Sequence, residues 1–365
     1  MVSATPEALR GFQQLLPYLR LATQKRASDL YFTAGAPAML RIEGQIHAVG
    51  SEALKAEAVA AMADAILSES QREELTRRRS VDLATHAGGH GRFRANVFFQ
   101  RGEIAMVMRF VGVDVPTLEG LRLPEVLSDL AMLRRGLLLV VGATGSGKST
   151  TLAAMLNHRN ATAQGHILTI EDPIEFVHPH RRCVVNQREV GIDVPDYDTG
   201  LVSAMREAPD VVLIGEIRQH STMRACLHMA NTGHLALSTL HANNAYQALQ
   251  RIAAMYPAEQ REQLYMDLGM TLRAVVSQRL VVGKDGRRVA ACEVLLNTPY
   301  VSELITAGRI NEIRDAIEGS RDRGMQSFDH ALATLYRAGQ ITEKEALEHA
   351  DSRANLEAKL HFGGH

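Results

Sequence analysis

The sequence contains no tryptophan, only three cysteines, and aromatic residues at 5% of its length. Neither sign of charge is in surplus, since 40 basic and 41 acidic side chains leave a formal net charge of -1. A protein whose main work is to coat nucleic acid needs a basic excess or a basic stretch interleaved with aromatics, so no nucleic-acid partner is expected. Cys183, Cys226 and Cys292 lie far apart with no C-x-x-C spacing. That argues against a disulfide framework or a structural zinc site and suits a reducing compartment. Long apolar runs are missing too. The longest, such as 137–141, are strand-sized and far short of the ~20 residues that cross a bilayer. The opening stretch, with Arg10, Pro17 and Arg20, is expected to be neither a signal nor a transit peptide. A cytoplasmic protein without direct membrane insertion is expected.

What is present is enough chain, 365 residues at 46% hydrophobic, for two or three domains with real cores. A helix is expected first, then strands around Asp29-Leu-Tyr-Phe-Thr33 and from Met39, the latter alternating as a hairpin strand does. Residues 52–70 place Val59, Met62, Ile66 and Leu67 on one helical face. Strands follow at 80–85, 93–100 and 104–110, with turns marked by Gly88, Gly89 and Gly91 and by Gly102. Residues 1–111 therefore read as an α+β module and 112–130, with prolines and glycines and no steady period, as a linker. Beyond it, apolar segments at 137–141, 167–170, 211–214 and 235–240 alternate with longer stretches, as buried parallel strands do. A three-layer α/β domain is expected over 131–298, with a hairpin turn at 283–286, and helices over 299–365 before a frayed Gly-Gly-His tail.

Gly142, Ala143, Thr144, Gly145, Ser146, Gly147, Lys148, Ser149 and Thr150 fit G-x-x-x-x-G-K-[ST] without deviation. Average residue usage would produce the pattern by chance in about 1–2% of chains this long, so context has to decide. A five-residue apolar run precedes it and a helix-compatible stretch follows, the strand–loop–helix order the motif needs. Glycines let the loop turn its N–H groups and the helix N-terminus toward an anion. Lys148 can then reach the β and γ phosphates and the Ser149 hydroxyl can ligate Mg²⁺, so ATP and Mg²⁺ are the expected cofactors.

Carboxylates and histidines gather at the other strand ends. Glu216 closes the buried run Val211-Val-Leu-Ile-Gly-Glu, where open α/β sheets bind ligands, and is a candidate metal ligand. Arg218 follows and can pair with an acid or a phosphate. Glu171, Asp172 and Glu175 crowd the exit of the strand ended by Pro173, and one of them can polarise the attacking water. His234 and His241 bracket an apolar strand carrying Ser238 and Thr239, where a γ-phosphate sensor could sit; their spacing is not that of a zinc helix. Arg92, Arg94, Arg101 and Arg109 lie on or beside strands of the first module, and arginine is the natural donor in trans to a developing phosphate charge. Plain alternatives exist for each: a solvated acidic turn, a core histidine, a solvated sheet face.

Taken together these segments resemble the secretion-type hexameric ATPases, most closely the type IV pilus retraction ATPases of the PilT/PilU group. The resemblance runs from Ala27-Ser-Asp-Leu-Tyr-Phe32 to the C-terminal helices. It implies a RecA-like P-loop NTPase domain with a parallel-rich central sheet, preceded by a smaller PAS-like α+β domain and followed by helices. It further implies a homo-oligomeric, hexameric ring, peripheral at the cytoplasmic face of the inner membrane. A partner retraction ATPase and an inner-membrane pilus platform protein are the implied contacts. By position, Thr169-Ile-Glu-Asp-Pro-Ile-Glu175 resembles the family's Asp box with Glu175 the water-activating residue, and Leu213-Ile-Gly-Glu-Ile-Arg218 its atypical Walker B, with Glu216 on the metal side. Thr232-Gly-His-Leu and Thr239-Leu-His-Ala resemble the His box, giving His234 and His241 nucleotide-responsive roles. Gly91-Arg-Phe-Arg94 resembles the arginine-bearing strand, with Arg94 and Arg109 the residues for reaching phosphate.

Two positions depart from the pattern: Gln219 stands where Asp is usual, and Asn231 where Glu is usual. Neither is the metal or base position, so hydrolysis is expected to survive. The segment Asn297-Thr-Pro-Tyr-Val-Ser-Glu-Leu-Ile305 lacks the Ala-Ile-Arg signature of the principal retraction motor, which favours the accessory, PilU-like branch. The principal motor and a nucleotide-gated adaptor acting through a partner ring remain as alternatives. An assembly or secretion ATPase is disfavoured, since a long extra N-terminal module and a four-cysteine zinc insertion are both lacking.

Overall fold

The computed structural model describes residues 6–42, 44–86, 91–112, 114–320 and 324–361. The chain divides into two units, one running to residue 114 and including 175–177, the other comprising 115–174 and everything from 178 onward. Of the turn residues expected in the first unit, Gly88 and Gly89 lie outside the described residues, as does the Gly-Gly-His tail.

The first unit opens with α1 (Pro6–Gln24), whose Leu15, Leu19 and Ala22 recur at helical spacing and are buried. Strands β1 (Asp29–Phe32), β2 (Ala38–Ile42) and β3 (Gln45–Val49) follow. Next come α2 (Ala56–Asp64), α3 (Glu69–Arg78), β4 (Ser80–His86), β5 (Arg92–Gln100) and β6 (Glu103–Val111). The single helix expected over 52–70 is in fact interrupted. Ser68 and Gln71 form a reciprocal capping box that starts a new helix, so Ile66 and Leu67 fall in the break. The six strands form one antiparallel sheet in the order β3-β2-β1-β6-β5-β4. Strand alternation sends Phe93, Ala95 and Val97 into the core against α1 and α2 and leaves Arg92, Arg94 and Asn96 on the other face.

The second unit begins with residues read from sequence as linker. Leu118 and Leu121 pack against its core, and α4 (Val126–Ala131) buries Leu127, Leu130 and Ala131. The apolar residues come from a turn followed by a short helix, so no single period revealed them. Then follow β7 (Gly136–Val141), α5 (Lys148–Thr162), β8 (Gly165–Glu171), β9 (Cys183–Glu189), α6 (Tyr197–Ala204) and β10 (Val211–Ile214). After these come α7 (His220–Asn231), β11 (Leu235–Leu240), α8 (Ala245–Ala254), α9 (Arg261–Thr271), β12 (Leu272–Val282) and β13 (Arg288–Leu296). The chain closes with α10 (Pro299–Thr306), α11 (Ile313–Glu318), α12 (Phe328–Arg337), α13 (Glu343–Glu348) and α14 (Arg353–His361).

The sheet order is β13-β12-β7-β11-β10-β8-β9, parallel throughout except for the β12–β13 hairpin. β7, β10 and β11 are buried along their whole length, as central strands covered on both faces must be. One face carries Leu152, Met155 and Leu156 of α5 with α4. The other carries residues of α7 to α10, including Met223, Leu249, Leu264 and Leu304. α12 to α14 enclose a smaller cluster around Leu332, Ile341 and Leu356, joined to Val281 and Ala291 of the hairpin. An α/β fold with a parallel-rich sheet, a smaller antiparallel-sheet unit before it and helices after it is what the sequence led one to expect. β9 was not anticipated, because only alternate residues of Cys-Val-Val-Asn-Gln-Arg-Glu are buried.

Candidate active site

In a parallel sheet every strand delivers its C-terminal end to the same edge, and the chemistry-bearing segments collect there. β7 runs directly into Gly142, and α5 starts at Lys148 with Gly147 as its N-cap residue at φ 89°. The loop is tightly wrapped. A Cβ on Gly142 would sit 2.4 Å from Ser146 Oγ and 2.6 Å from the Gln278 carbonyl oxygen, and one on Gly147 would sit 2.8 Å from Gln278 Nε2. Lys148 is buried and donates from Nζ to the carbonyls of Gly142 and Ala143, both at 3.0 Å, so the ammonium lies across the hollow of the loop. Ser146 Oγ is buried without a hydrogen-bond partner. A buried hydroxyl left unpaired is costly, and a phosphate oxygen would satisfy it. Ser149 and Thr150 open the first turn of α5, both partly accessible, and Ala143, Thr144 and Gly145 form the exposed crest of the loop.

Two strands over, β10 ends at Ile214 and the chain turns at Gly215 into Glu216. The turn is fixed from both sides: Gly215 N–H donates to the Ile170 carbonyl at 2.8 Å, and Thr239 Oγ1 donates to the Gly215 carbonyl at 2.7 Å. Glu216 is 18% exposed at its side chain and is held by Arg218 Nε at 2.8 Å and His241 Nε2 at 3.1 Å. Arg218 also lies 3.9 Å from Asp172. Neighbouring strands are about 4.8 Å apart, so Glu216 stands roughly 10 Å from the phosphate loop across β11, room for a phosphate chain with its cation. Tyr197 borders the same edge; burial first, then the Asp172 carboxylate, raise its phenol well above its ordinary range, so it keeps its proton.

At the exit of β8, Glu171 accepts from Thr169 Oγ1 at 2.6 Å and Gln187 Nε2 at 3.2 Å, which marks it as a structural acceptor. Glu175 lies beyond the cis Asp172–Pro173 peptide, is exposed, and belongs with Phe176 and Val177 to the first unit, where Val177 N–H reaches the Gly112 carbonyl. In the first unit Arg94 and Arg109 are cross-strand partners on the open face of the sheet. Arg109 is held by Asp29 at 2.9 Å, although its side chain is 69% exposed.

His234 requires a correction. It precedes the first residue of β11, where its carbonyl accepts from Gly136 N–H, and its ring contacts Thr232 Oγ1 at 3.1 Å. His241 follows the last residue of the same strand and reaches Glu216. Seven residue steps at about 3.3 Å each put the two histidines roughly 23 Å apart, so of the two only His241 stands at this chain's phosphate edge.

A family model described as type II/IV secretion system protein matches residues 13–297. The chain belongs to that family. It is 45% identical over 346 residues to the type IV pilus ATPase PilU of Pseudomonas aeruginosa, spanning 94% of this chain and 91% of that protein. The type IV pilus retraction ATPase PilT of the same organism is 40% identical over 93% of this chain and 98% of its own length. A crystal structure of the pilus retraction motor PilT with bound ADP matches with a TM-score of 0.86 at 38% identity, covering 94% of this chain and 98% of that one. The ATPase DotB of Legionella pneumophila matches at 0.78 and 26% identity, over 92% of this chain and 94% of that one.

Two residues of this secretion-family chain escaped sequence reading. Gln278, 3% exposed on β12, accepts from Thr151 Oγ1 at 2.6 Å and lies under the phosphate loop. Glu293, 6% exposed on β13, accepts from Ala245 N–H at 2.7 Å and Ser277 Oγ at 2.9 Å, tying the start of α8 to the hairpin. The available signal was a polar residue inside a buried strand. The cysteines are all buried, and burial raises the thiols of Cys226 and Cys292 to about 12, which leaves them inert packing groups.

Proposed function

We propose that this chain is an ATP-hydrolysing motor subunit that drives or assists type IV pilus retraction, in the accessory role of a PilU-like ATPase. The observation that carries the reading is the phosphate loop on a buried parallel strand with Glu216 at the same sheet edge, in a chain 45% identical to PilU over nearly its whole length. The residues present suit Mg²⁺ with ATP: the Ser149 hydroxyl opens the helix after the loop and the Glu216 carboxylate stands at the same sheet edge. A serine hydroxyl and one carboxylate are what a cation bound chiefly through phosphates and waters needs. Ser149 and Glu216 are the proposed holders, and when bound the ion neutralises charge on the β and γ phosphates.

In this reading loop amides, Ser146 Oγ and Lys148 bind the phosphate chain, with Lys148 leaving the two carbonyls it now contacts. Glu175 orients the attacking water, and His241 reports the state of the phosphate to β11. Arg94 and Arg109 are the donors to phosphate from an adjacent copy, and His234 is assigned away from this chain's own phosphate. A hexameric ring docked on an inner-membrane pilus platform protein is part of the same proposal. Among the described residues no helix is long and apolar enough to cross a membrane.

The test is ATP turnover, with assembly mass measured in the presence and absence of ATP. Lys148→Ala and Glu175→Gln are each expected to remove turnover, the first with loss of nucleotide binding and the second without it. Parent-like hydrolysis in both, or a monomer in every nucleotide state, would overturn the reading. The missing Ala-Ile-Arg signature at 297–305 favours a second reading, a nucleotide-gated adaptor. It requires retraction to persist in Glu175→Gln cells that retain the partner motor; complete loss there excludes it.

A further inference from the structure

The residue beneath the phosphate loop is shared with the strand that carries the C-terminal helices. β12 runs beside β7 with Ser277 registered on Val141, which brings Gln278 level with Gly142. Its backbone carbonyl lies 2.6 Å, and its side-chain Nε2 2.8 Å, from the points where Cβ atoms on Gly142 and Gly147 would sit. Its Oε1 accepts from Thr151 Oγ1, a fully buried residue in the first turn of α5. One residue therefore abuts the loop at its start with its backbone and at its end with its side chain, and grips the helix behind it. Burying an amide in a strand is costly unless it is hydrogen-bonded, and this one bonds Thr151 in the helix that leaves the loop.

The next residue faces the opposite side of the sheet, as strand alternation requires. Arg279 stacks its guanidinium 3.8 Å from the centre of the Phe328 ring at the head of α12. It donates to the His349 carbonyl at 2.7 Å and pairs with Asp351 at 2.6 Å. The N–H groups of Asp351 and Ser352 in turn donate to buried Asp329 at 2.8 and 3.2 Å. Phosphate loop and C-terminal helices thus meet on two consecutive residues of one strand.

We propose that Gln278 is a positioning residue of the phosphate loop, and that Gln278 and Arg279 together couple nucleotide occupancy to the C-terminal helices. The proposal rests on the assignment of 142–150 as the phosphate site. Interiors packed to crystal-like density do not absorb a displacement locally, so a loop that adjusts around phosphate shifts the backbone of Gln278 and with it the clamp made by Arg279.

The experiment uses the full chain, with ADP as probe. Calorimetry gives its affinity, and hydrogen exchange of amides in 328–351 is followed with and without it. In the parent, ADP is expected to slow exchange in that segment. Gln278→Leu is expected to weaken ADP about three- to ten-fold, the loss of one buried hydrogen bond, and to remove the slowing. Thr151→Val should weaken ADP comparably, and the double variant should lose no more than either single one, which a generally softened fold would not reproduce. Arg279→Gln should bind ADP within about two-fold of the parent while losing the slowing, since it breaks the clamp without touching the loop. The coupling is overturned if ADP leaves exchange in 328–351 unchanged in the parent, if the slowing persists in Arg279→Gln, or if Gln278→Leu binds ADP like the parent. Parent-like ADP binding by Lys148→Ala would instead refute the phosphate-site assignment.

Discussion

Replacing Glu216 with glutamine separates its place in the fold from its place in the chemistry. The substitution keeps shape and volume and leaves one carbonyl oxygen, so either Arg218 or His241 retains an acceptor. Charge-assisted hydrogen bonds contribute about 1.5–3 kcal/mol and neutral ones about 0.5–1.5, so the contact that keeps the oxygen loses about 1 kcal/mol and the other loses its acceptor. The Arg218 share must be discounted further, because its side chain is 63% exposed and water screens the pair. The net structural loss is then about 1–2 kcal/mol, a melting shift of about 1–3 °C in a chain of 365 residues. Turnover is expected to respond on another scale: removing a preorganised group that stabilises transition-state charge typically costs about a hundred- to a thousand-fold, or about 2.7–4 kcal/mol. The assay is phosphate release at saturating ATP across a Mg²⁺ titration, with melting followed by circular dichroism on the same samples. Parent-like turnover at saturating Mg²⁺ would show that Glu216 serves only its ion pairs, and the site would need another carboxylate.

Glu293 makes a pH-dependent prediction. Burial raises its carboxyl above the usual range, more than the Ala245 N–H and Ser277 hydroxyl lower it. An acid whose folded value is raised contributes stability at pH below its ordinary ~4.3, and that contribution is lost as pH rises through the folded value. Glu293→Gln cannot ionise, so its melting temperature minus the parent's should increase between about pH 4 and 7; a flat or falling difference refutes the assignment. Phe328→Ala removes a fully buried ring from beneath Arg279 and is expected to cost about 3–5 kcal/mol, with proteolysis appearing first in α12 to α14. An unchanged melting temperature would mean that the C-terminal helices do not depend on that contact.

The phosphate loop was legible because its chemistry is local: glycines, lysine and hydroxyls within nine consecutive residues, entered by a strand and left by a helix. The edge position of Glu216 was legible for a similar reason, since a short apolar strand ends at a definable carboxylate. His234 was misplaced because flanking a strand says nothing about which flank faces the ligand; that follows from strand direction, fixed only by pairing with β7. Gln278 was invisible for a deeper reason. Ser277, Gln278 and Arg279 interrupt the apolar run of β12 and hid its length, while the neighbour that explains them, β7, lies more than a hundred residues earlier in the chain. The polar residues that obscured the strand are the ones that connect it to the rest of the molecule.

β11 has a mechanical consequence of its own. Its six residues are buried from end to end and hydrogen-bonded along both sides, to β7 and β10, with a histidine at each tip. A rod clamped in this way cannot bow or compress; it can only slide or tilt with its neighbours. A displacement of His241 from the Glu216 side would therefore move the strand as one body, and His234 stands roughly 23 Å away on the opposite rim of the sheet. The strand is a stiff link between the two rims of the sheet, with a histidine at each.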